Sequence, residues 1–585
     1  MISNVLDVDE ALLQYSLAGY GSMALFYDFK AAFPSVEHKL LHSYFEALRW
    51  PTWLLWFIQM LYSYNYCFIS LRSGLYAGFT LTRGVRQGCP LSPLLFAVVS
   101  ELLLRRLQVQ IPRSMRRAYA DDLAMVLRSG LAQLQPLSSL FLDFAKISGL
   151  QLHLGKTILL PLFEYDLMTL RAAIAAAAPL WCGIAVGDAA TYLGFVLGPG
   201  AHDSSWSKPL EKYVTRSKLW GQAGLGLMLT IRAYATYIAS VLLFVAQLTS
   251  LPNDFEDYEK KAIRSLLPGP TAWISAATLH NLKELGFPMN FPSLRNMAIA
   301  ARSRICRERD HVHRIHERAA QLRRDLDNCE DWIQLQWAAK WSGRSFIFHV
   351  AQGDNIVQRR LEECTRLNIL PQRYIDWQLR STSPISTASR MCSWQAVATS
   401  LMHDGTQRHL RTHIERRLRT LPLITLPGRR IDKAVAYMRR LSKLVTPRVL
   451  AATLRTFCDG WCTHSRYQRS RPCRLCGLED ADNLAHIARC PRTWQWFEQH
   501  AKLSRPTLGS ERDSFFCMSD GYDSFFCSLL PEVSSDDVVK TRGLAMYALY
   551  MVYNGARHQR HSSDEMPDAF KEYFRRGRLA SLDVF

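Results

Sequence analysis

Apolar positions repeat along this chain with two periods, and each period predicts a different element. Short unbroken runs come first. MetAlaLeuPheTyr at 23–27 ends on an acid, Asp28; it predicts a buried strand that delivers Asp28 at its C-terminal end. Two strand-like segments then flank AlaAspAsp at 120–122 within ArgArgAlaTyrAlaAspAspLeuAlaMetValLeu at 116–127, which predicts a β-hairpin with two acids at its turn. Other stretches repeat every three or four residues. Leu94, Leu95, Val98, Val99, Leu102 and Leu103 mark a helix, with Ser92 as its cap and Pro93 at its first position. Ile305, Val312, Ile315, Ala319, Leu322 and Leu326 mark helices with one core face and one basic face.

Residues 201–290 read as mostly helical. The longest charge-free run, Ala233 to Asn253, is interrupted by Tyr234, Thr236, Tyr237, Ser240, Gln247 and Thr249. It is long enough to span a bilayer but polar enough to read as a buried amphipathic helix. LeuProGlyProThr at 267–271 marks a break, and SerThrSerProIleSerThrAlaSer at 381–389 a linker. AspSerPhePheCys occurs at 513–517 and again at 523–527, a local loop repeat, and TyrAlaLeuTyrMetValTyrAsn at 547–554 predicts a final helix.

Composition adds a partner class. The 585 residues carry 71 Lys and Arg against 51 Asp and Glu, a net charge of +20, which favours a polyanion. The surplus is uneven: residues 291–450 hold 29 basic and 14 acidic residues, and so +15 of the total. ArgSerArgIleCysArgGluArg at 302–309 and GluArgArgLeuArg at 415–419 lie there, near Trp332, Trp337, Trp341 and Trp394. Those rings can stack on bases or fill a core, and a basic face can bind phosphate or only be solvated. Fourteen Cys make no disulfide scaffold, so a reducing compartment is the default. The acidic N-terminus, MetIleSerAsnValLeuAspValAspGlu, lacks the basic start of a signal peptide.

The acids suggest chemistry. If the strand ending at Asp28 pairs with the hairpin, Asp28 and Asp121 meet, 93 residues apart in sequence. Two carboxylates held together repel unless a cation lies between them, and Mg²⁺ suits oxygen ligands and phosphate substrates. An acid pair at an exposed turn, with no ligand, is the plain alternative. Further segments follow in order. ThrArgGlyValArgGlnGlyCysProLeuSerProLeuLeuPhe spans 82–96, GlyLeuGlnLeuHisLeuGlyLysThr spans 149–157, and TyrLeuGlyPheValLeuGly spans 192–198.

In this order and spacing the segments resemble the palm of reverse transcriptases, in particular those of non-LTR (LINE-type) retrotransposons. PheTyrAspPheLysAlaAlaPhe resembles motif A, GlyValArgGlnGlyCysProLeuSerPro motif B, TyrAlaAspAsp motif C, the Lys156 segment motif D, and TyrLeuGly motif E, the primer grip. The resemblance implies an α+β fold: an antiparallel palm sheet with packed helices over 1–200, a helical thumb over 201–290, a basic helical region over 291–450, a zinc knuckle within 451–500, and a tail over 501–585. Only 27 residues precede Asp28, where the family has a longer fingers segment, so the resemblance is to an N-terminally truncated member.

By that resemblance Asp28 and Asp121 are metal ligands with the carbonyl of Phe29, and Asp122 is the more peripheral acid. Two Mg²⁺ ions would stabilise the attacking and leaving oxygens of an in-line phosphoryl displacement. Phe33 falls at a steric gate against a ribose 2′-hydroxyl. Arg86, Gln87, Gly88 and Tyr119 fall in the nucleotide and template site, Lys156 beside the leaving pyrophosphate, and Tyr192, Leu193 and Gly194 on the primer end. A core aromatic, a solvated lysine and a plain strand and turn are the structural alternatives for Phe33, Lys156 and the last three. Arg113, Arg116 and Arg117 would meet template or primer phosphates. His153 stands where the family usually has Asn.

A second metal site follows from spacing. Cys473, Cys476, His486 and Cys490 are arranged as Cys-x2-Cys-x9-His-x3-Cys. Three thiolates and an imidazole suit one tetrahedral, structural Zn²⁺. Cys458, Cys462 and His464 are alternative ligands. The sequence therefore points to an intracellular (nuclear or cytoplasmic) RNA-directed DNA polymerase using RNA template, DNA primer and deoxynucleoside triphosphates, without a membrane partner. A catalytically inactive nucleic-acid-binding remnant is the alternative; an RNA-dependent RNA polymerase is disfavoured by Phe33.

Overall fold

A computed structural model describes residues 1–270, 273–307, 311–381, 394–403, 412, 415–416, 428–479, 481–506, 515–516 and 534–580. The described chain forms two compact units. The first comprises 1–208, 245–250 and 299–363, and the second 209–244, 251–298 and 364–585.

The first unit is built on a five-stranded sheet. Its strands are β1 (Met23–Tyr27), β4 (Met115–Tyr119), β5 (Asp122–Leu127), β6 (Ile158–Pro161) and β7 (Ala185–Val186), in spatial order β4-β5-β1-β6-β7. Two hairpins stand outside it: β2 (Tyr66–Leu71) with β3 (Gly74–Thr80), and β8 (Ala190–Tyr192) with β9 (Phe195–Leu197). β1 pairs antiparallel with both β5 and β6. All five β1 residues are buried, because the sheet is covered on both faces.

Side-chain alternation explains the cover. Met23, Leu25, Tyr27, Leu123, Met125 and Leu127 pack on one side with Phe96 and Val99 of the helix Ser92–Gln110 and Phe141 of the helix Gly130–Ser148. Ala24, Phe26, Ala124 and Val126 pack on the other with Val5, Val8 and Leu12 of the helix Ile2–Leu17, and with Ile315, Ala319 and Leu322 of the helix His311–Asp327. A strand with two dry faces reads as an unbroken apolar run, which is why the sequence announces β1 and β5 so clearly.

That second layer consumes cations. Arg318 Nε donates to Glu10 Oε2 at 2.7 Å and its Nη2 to Asp7 Oδ1 at 2.8 Å, while Arg117 Nε donates to Asp7 Oδ2 at 2.9 Å. Arg302 is buried, donates to the Thr249 carbonyl at 2.9 Å, and is pushed down to about 10 by desolvation. Arg304 reaches Gln247 Oε1 at 3.1 Å. The helix His311–Asp327 does have one core face and an exposed face with Arg314, Arg323 and Arg324. Of the four tryptophans, Trp332 is exposed, while Trp341 and Trp394 are buried.

The second unit is helical among the described residues. Trp461 is fully buried, its ring 5.3 Å from that of Tyr550 and 5.1 Å from that of Tyr553 on the helix Ser535–Arg557. That helix contains the 547–554 segment but is followed by another, Met566–Ala580, so it is not the last. Leu227–Ala246 is one helix with a π turn over Tyr234–Ile238; it is long and apolar enough to cross a membrane by length and composition, and 44% of its most apolar window is buried. It buries Ile231, Tyr234, Ile238 and Leu242 and exposes Leu229 and Tyr237. Outside the described residues lie nearly all of the 381–389 linker and the 513–517 and 523–527 repeat, and part of the 302–309 and 415–419 basic runs.

Candidate metal and nucleotide site

Strand register brings the acids together. The last β1–β5 pair is Tyr27 with Leu123, so the next step puts Asp28 across from Asp122. Tyr119 pairs with Asp122, leaving Ala120 and Asp121 as a two-residue turn, with Ala120 at φ 51°. Asp28 is half-buried, and Asp121 and Asp122 are exposed. The Asp122 carboxyl is held above the usual carboxylate range, first by desolvation and then by the negative charges of Asp121 and Asp28. Among the described residues no Lys, Arg or His lies within ion-pair distance of the three. Three like charges with no protein counter-cation form a donor set of hard oxygens suited to a divalent cation.

The 149–157 segment holds the exit of β1. His153 N donates to the Asp28 carbonyl at 2.7 Å, Lys30 N to the Gln151 carbonyl at 2.8 Å, and Phe29 bridges Leu152. Asp28 N donates to Thr157 Oγ1 at 3.3 Å, a support that sequence reasoning missed; a lone threonine gives no signal. Gly149 ends the helix Gly130–Ser148 at φ 77°, where a Cβ would lie 2.1 Å from the Ser35 carbonyl oxygen. Only glycine fits that approach. Lys156 is exposed in the same segment.

The 82–91 loop lies against the start of this scaffold. Gly84 (φ 95°) has its N–H on the Val36 carbonyl at 2.7 Å, and Val85 N donates to the Phe33 carbonyl at 2.8 Å. Phe33 stacks on Phe96 at 4.8 Å and is half-buried. Arg86 donates to the Leu61 carbonyl at 3.0 Å and to Asn65, while Gln87 and Gly88 are exposed. Tyr119 is exposed. Ser92 is not the helix cap: it lies inside the first turn, buried, and the helix has no side-chain cap. Leu91 is the N-cap residue, and Cys89 lies in the loop before it, its thiol pushed down chiefly by a hydrogen bond from the Leu91 backbone.

Other assigned residues are spread more widely. Leu193 (φ 51°) and Gly194 (φ 83°) form the β8–β9 turn, the positive-φ pair that a tight hairpin requires. Tyr192 is buried, its hydroxyl donating to the Arg117 carbonyl at 3.1 Å, and burial pushes it up to about 12. Arg116 is turned inward, donating to the Ile111 carbonyl at 2.7 Å, and Arg117 is paired with Asp7. Of the three arginines before the acids, Arg113 is the exposed one.

The Cys/His cluster is compact. Ligand atoms of Cys473, Cys476, His486 and Cys490 all lie within 4.8 Å of one another, with Cys476 Sγ 3.2 Å from His486 Nε2. Gly477 (φ 79°) closes the first turn, its N–H on the Cys473 carbonyl at 2.8 Å. Asn483 Oδ1 accepts from His486 N at 2.8 Å, capping the short helix Leu484–Ile487, and Cys490 precedes Pro491 at the next helix start. The Cys490 thiol is pushed down to about 4 by its Cys473 neighbour. Cys458, Cys462 and His464 lie outside the cluster; His464 Nδ1 is 2.7 Å from buried Asp482 Oδ2.

Comparison with known proteins adds to this geometry. Residues 6–197 match the family model described as reverse transcriptase (RNA-dependent DNA polymerase). The retrovirus-related Pol polyprotein from the type-2 retrotransposable element R2DM of Drosophila melanogaster is 32% identical over 135 residues, 22% of this chain and 13% of that protein. An uncharacterized 149 kDa protein of transposon TX1 from Xenopus laevis is 30% identical over 108 residues, 17% of this chain and 8% of that protein.

Proposed function

We propose, for a chain whose residues 6–197 are a reverse transcriptase domain of the non-LTR retrotransposon type, that it extends a DNA 3′ end along an RNA template. The observation that carries this reading is the carboxylate end of the sheet, three acids from two adjacent strands with no protein cation to neutralise them. Asp28, Asp121, Asp122 and the Phe29 carbonyl are the groups that would hold two Mg²⁺ ions, whose chemistry is to neutralise charge on the attacking and leaving oxygens of phosphoryl transfer.

The chain's own residues supply position. The 149–157 segment fixes the backbone of Asp28, so its carboxylate does not swing with the loop. Phe33, braced by Phe96, presents a ring that crowds a ribose 2′-hydroxyl and so selects deoxynucleotides. Arg86, Gln87, Gly88 and Tyr119 line the nucleotide and template side, and Lys156 places a cation at the departing pyrophosphate. Leu193 and Gly194 offer turn backbone to the primer, while Tyr192 anchors that turn from within the core.

Cys473, Cys476, His486 and Cys490 would bind one structural Zn²⁺; three thiols and an imidazole fit a closed tetrahedral site. The helical segments over 201–290 serve as the thumb, and the exposed basic faces of 291–450 add phosphate contacts. The setting is intracellular, in nucleus or cytoplasm, without a membrane partner.

Primer extension on poly(rA)/oligo(dT) with Mg²⁺ tests the reading. Extension by the wild-type chain, lost in Asp121→Ala, supports the enzyme. Tight binding of the primer–template by a folded chain that never extends it would instead favour an inactive nucleic-acid-binding remnant.

A further inference from the structure

A third set of side chains of metal-ligand type, belonging to neither site, converges in the first unit. Cys306, His316 and Asp354 come from the helices Leu294–Arg307, His311–Asp327 and Phe346–Arg366, and their ligand atoms all lie within 4.8 Å of one another. Cys306 and Asp354 are buried, and His316 is half-buried. The three belong to one compact unit and to the layer that covers one face of the sheet.

The spacing is that of ligands. His316 Nε2 stands 3.3 Å from Asp354 Oδ2. A charge-assisted imidazole–carboxylate bond closes to about 2.7–2.9 Å, as His464 and Asp482 do elsewhere in this chain, at 2.7 Å. Nitrogen and oxygen ligands at about 2.0–2.2 Å from a tetrahedral zinc stand about 3.3–3.5 Å apart, the length of a tetrahedral edge. Asp354 Oδ1 accepts from Ser303 Oγ at 2.7 Å, an outer partner that orients the carboxylate as such partners do around metals. Cys306 Sγ lies within 4.8 Å of the other two ligand atoms and, as a thiol, donates to the Val350 carbonyl at 3.7 Å. Thiol, imidazole and carboxylate together fit a borderline divalent cation such as zinc, whereas hard Mg²⁺ and Ca²⁺ avoid sulfur and Cu(I) avoids carboxylate.

We propose that Cys306 Sγ, His316 Nε2 and Asp354 Oδ2 bind one zinc ion that clamps these three helices. Binding deprotonates the Cys306 thiol and releases that proton to solvent. Among the described residues three side chains supply ligands, and His316 is the partly exposed one.

Zinc content of the full chain, measured by mass spectrometry after gel filtration, tests this site separately from the knuckle. Two zinc ions per chain are expected, with one left in Cys306→Ser, one left in Cys473→Ser, and none in the double variant. In the Cys473→Ser chain, added Co²⁺ should give a weak sulfur-to-metal band from a single thiolate, absent when Cys306 is also replaced. His316→Gln, at a half-exposed position, repeats the loss of one zinc if Cys306→Ser fails to fold. Wild-type protein whose zinc is unchanged in both Cys306→Ser and His316→Gln would overturn the proposal.

Discussion

The two principal sites differ in how the chain builds them. The carboxylates come from segments 93 residues apart and meet only because β1 and β5 pair. They are hard oxygen donors, exposed or half-exposed at the end of a sheet whose body is dry on both faces. The cysteine–histidine cluster lies within 18 residues, on short turns and helix starts, with Cys473 and Cys490 buried. The first is open to solvent at the end of a rigid frame; the second gathers four side chains around one point, two of them buried. Under the proposed assignments, openness separates the catalytic from the structural metal site more than ligand count does.

Breaking each site should expose that difference. Chelation, or Cys473→Ser, is expected to have the largest effect on folding, since structural zinc supplies on the order of 10 kcal/mol to small zinc modules. Limited proteolysis should cut within 461–501 in the stripped protein and spare the loaded one. Equal resistance in both states would make the cluster mere reduced cysteines. Asp121→Asn should have the next largest effect, and on rate alone: primer extension falls on the order of a thousandfold, the scale for losing one preorganised electrostatic partner. Its melting temperature should hold or rise, because one of three crowded negative charges is gone. A fall in stability with intact activity would reverse the assignment.

Two further variants probe the frame behind the open site. Buried Asp9 accepts from Ser345 Oγ and Phe346 N, both at 2.8 Å, and burial raises its carboxyl from 3.8 to about 7. Between those values the folded chain keeps a proton that the unfolded chain has released. Its contribution is therefore full below pH about 4 and is lost as pH rises through about 7, by up to about 4 kcal/mol. Urea midpoints at pH 5 and pH 8 should differ in the wild type and converge in Asp9→Asn; an unchanged difference would clear Asp9. Gly149→Ala should cost about 2 kcal/mol, since it forces a side chain into positive φ against the Ser35 carbonyl. A neutral effect in the same titration would mean that the segment behind Asp28 can shift freely.

The sequence made the strands legible wherever both faces are dry, as at 23–27 and 123–127, and it located the acids and the cysteine–histidine spacing. It could not show how cations are spent. Arg116, Arg117 and Arg302 read as basic residues open to phosphate, yet Arg117 and Arg302 donate to an acid and a carbonyl distant in the chain, as Arg318 does to two acids, and Arg116 donates to the Ile111 carbonyl five residues back. Ser92 carries the usual cap signature, but the helix begins one residue earlier than that signature implies, with Leu91 as N-cap and Ser92 buried in the first turn. The resemblance puts Tyr192 on the primer end with Leu193 and Gly194; its ring is buried in the core against Phe26, and its hydroxyl reaches the Arg117 carbonyl. For Arg117, Arg302 and Tyr192 the deciding partner belongs to another element, and one-dimensional spacing carries no record of it.

Counting ions at the carboxylate end tests the central claim most directly. Electron paramagnetic resonance titration of Mn²⁺ into the full chain with primer–template and a deoxynucleoside triphosphate should reveal two protein-held ions, reduced in both Asp28→Asn and Asp121→Asn. Mn²⁺ binding that is unchanged in both variants would contradict it.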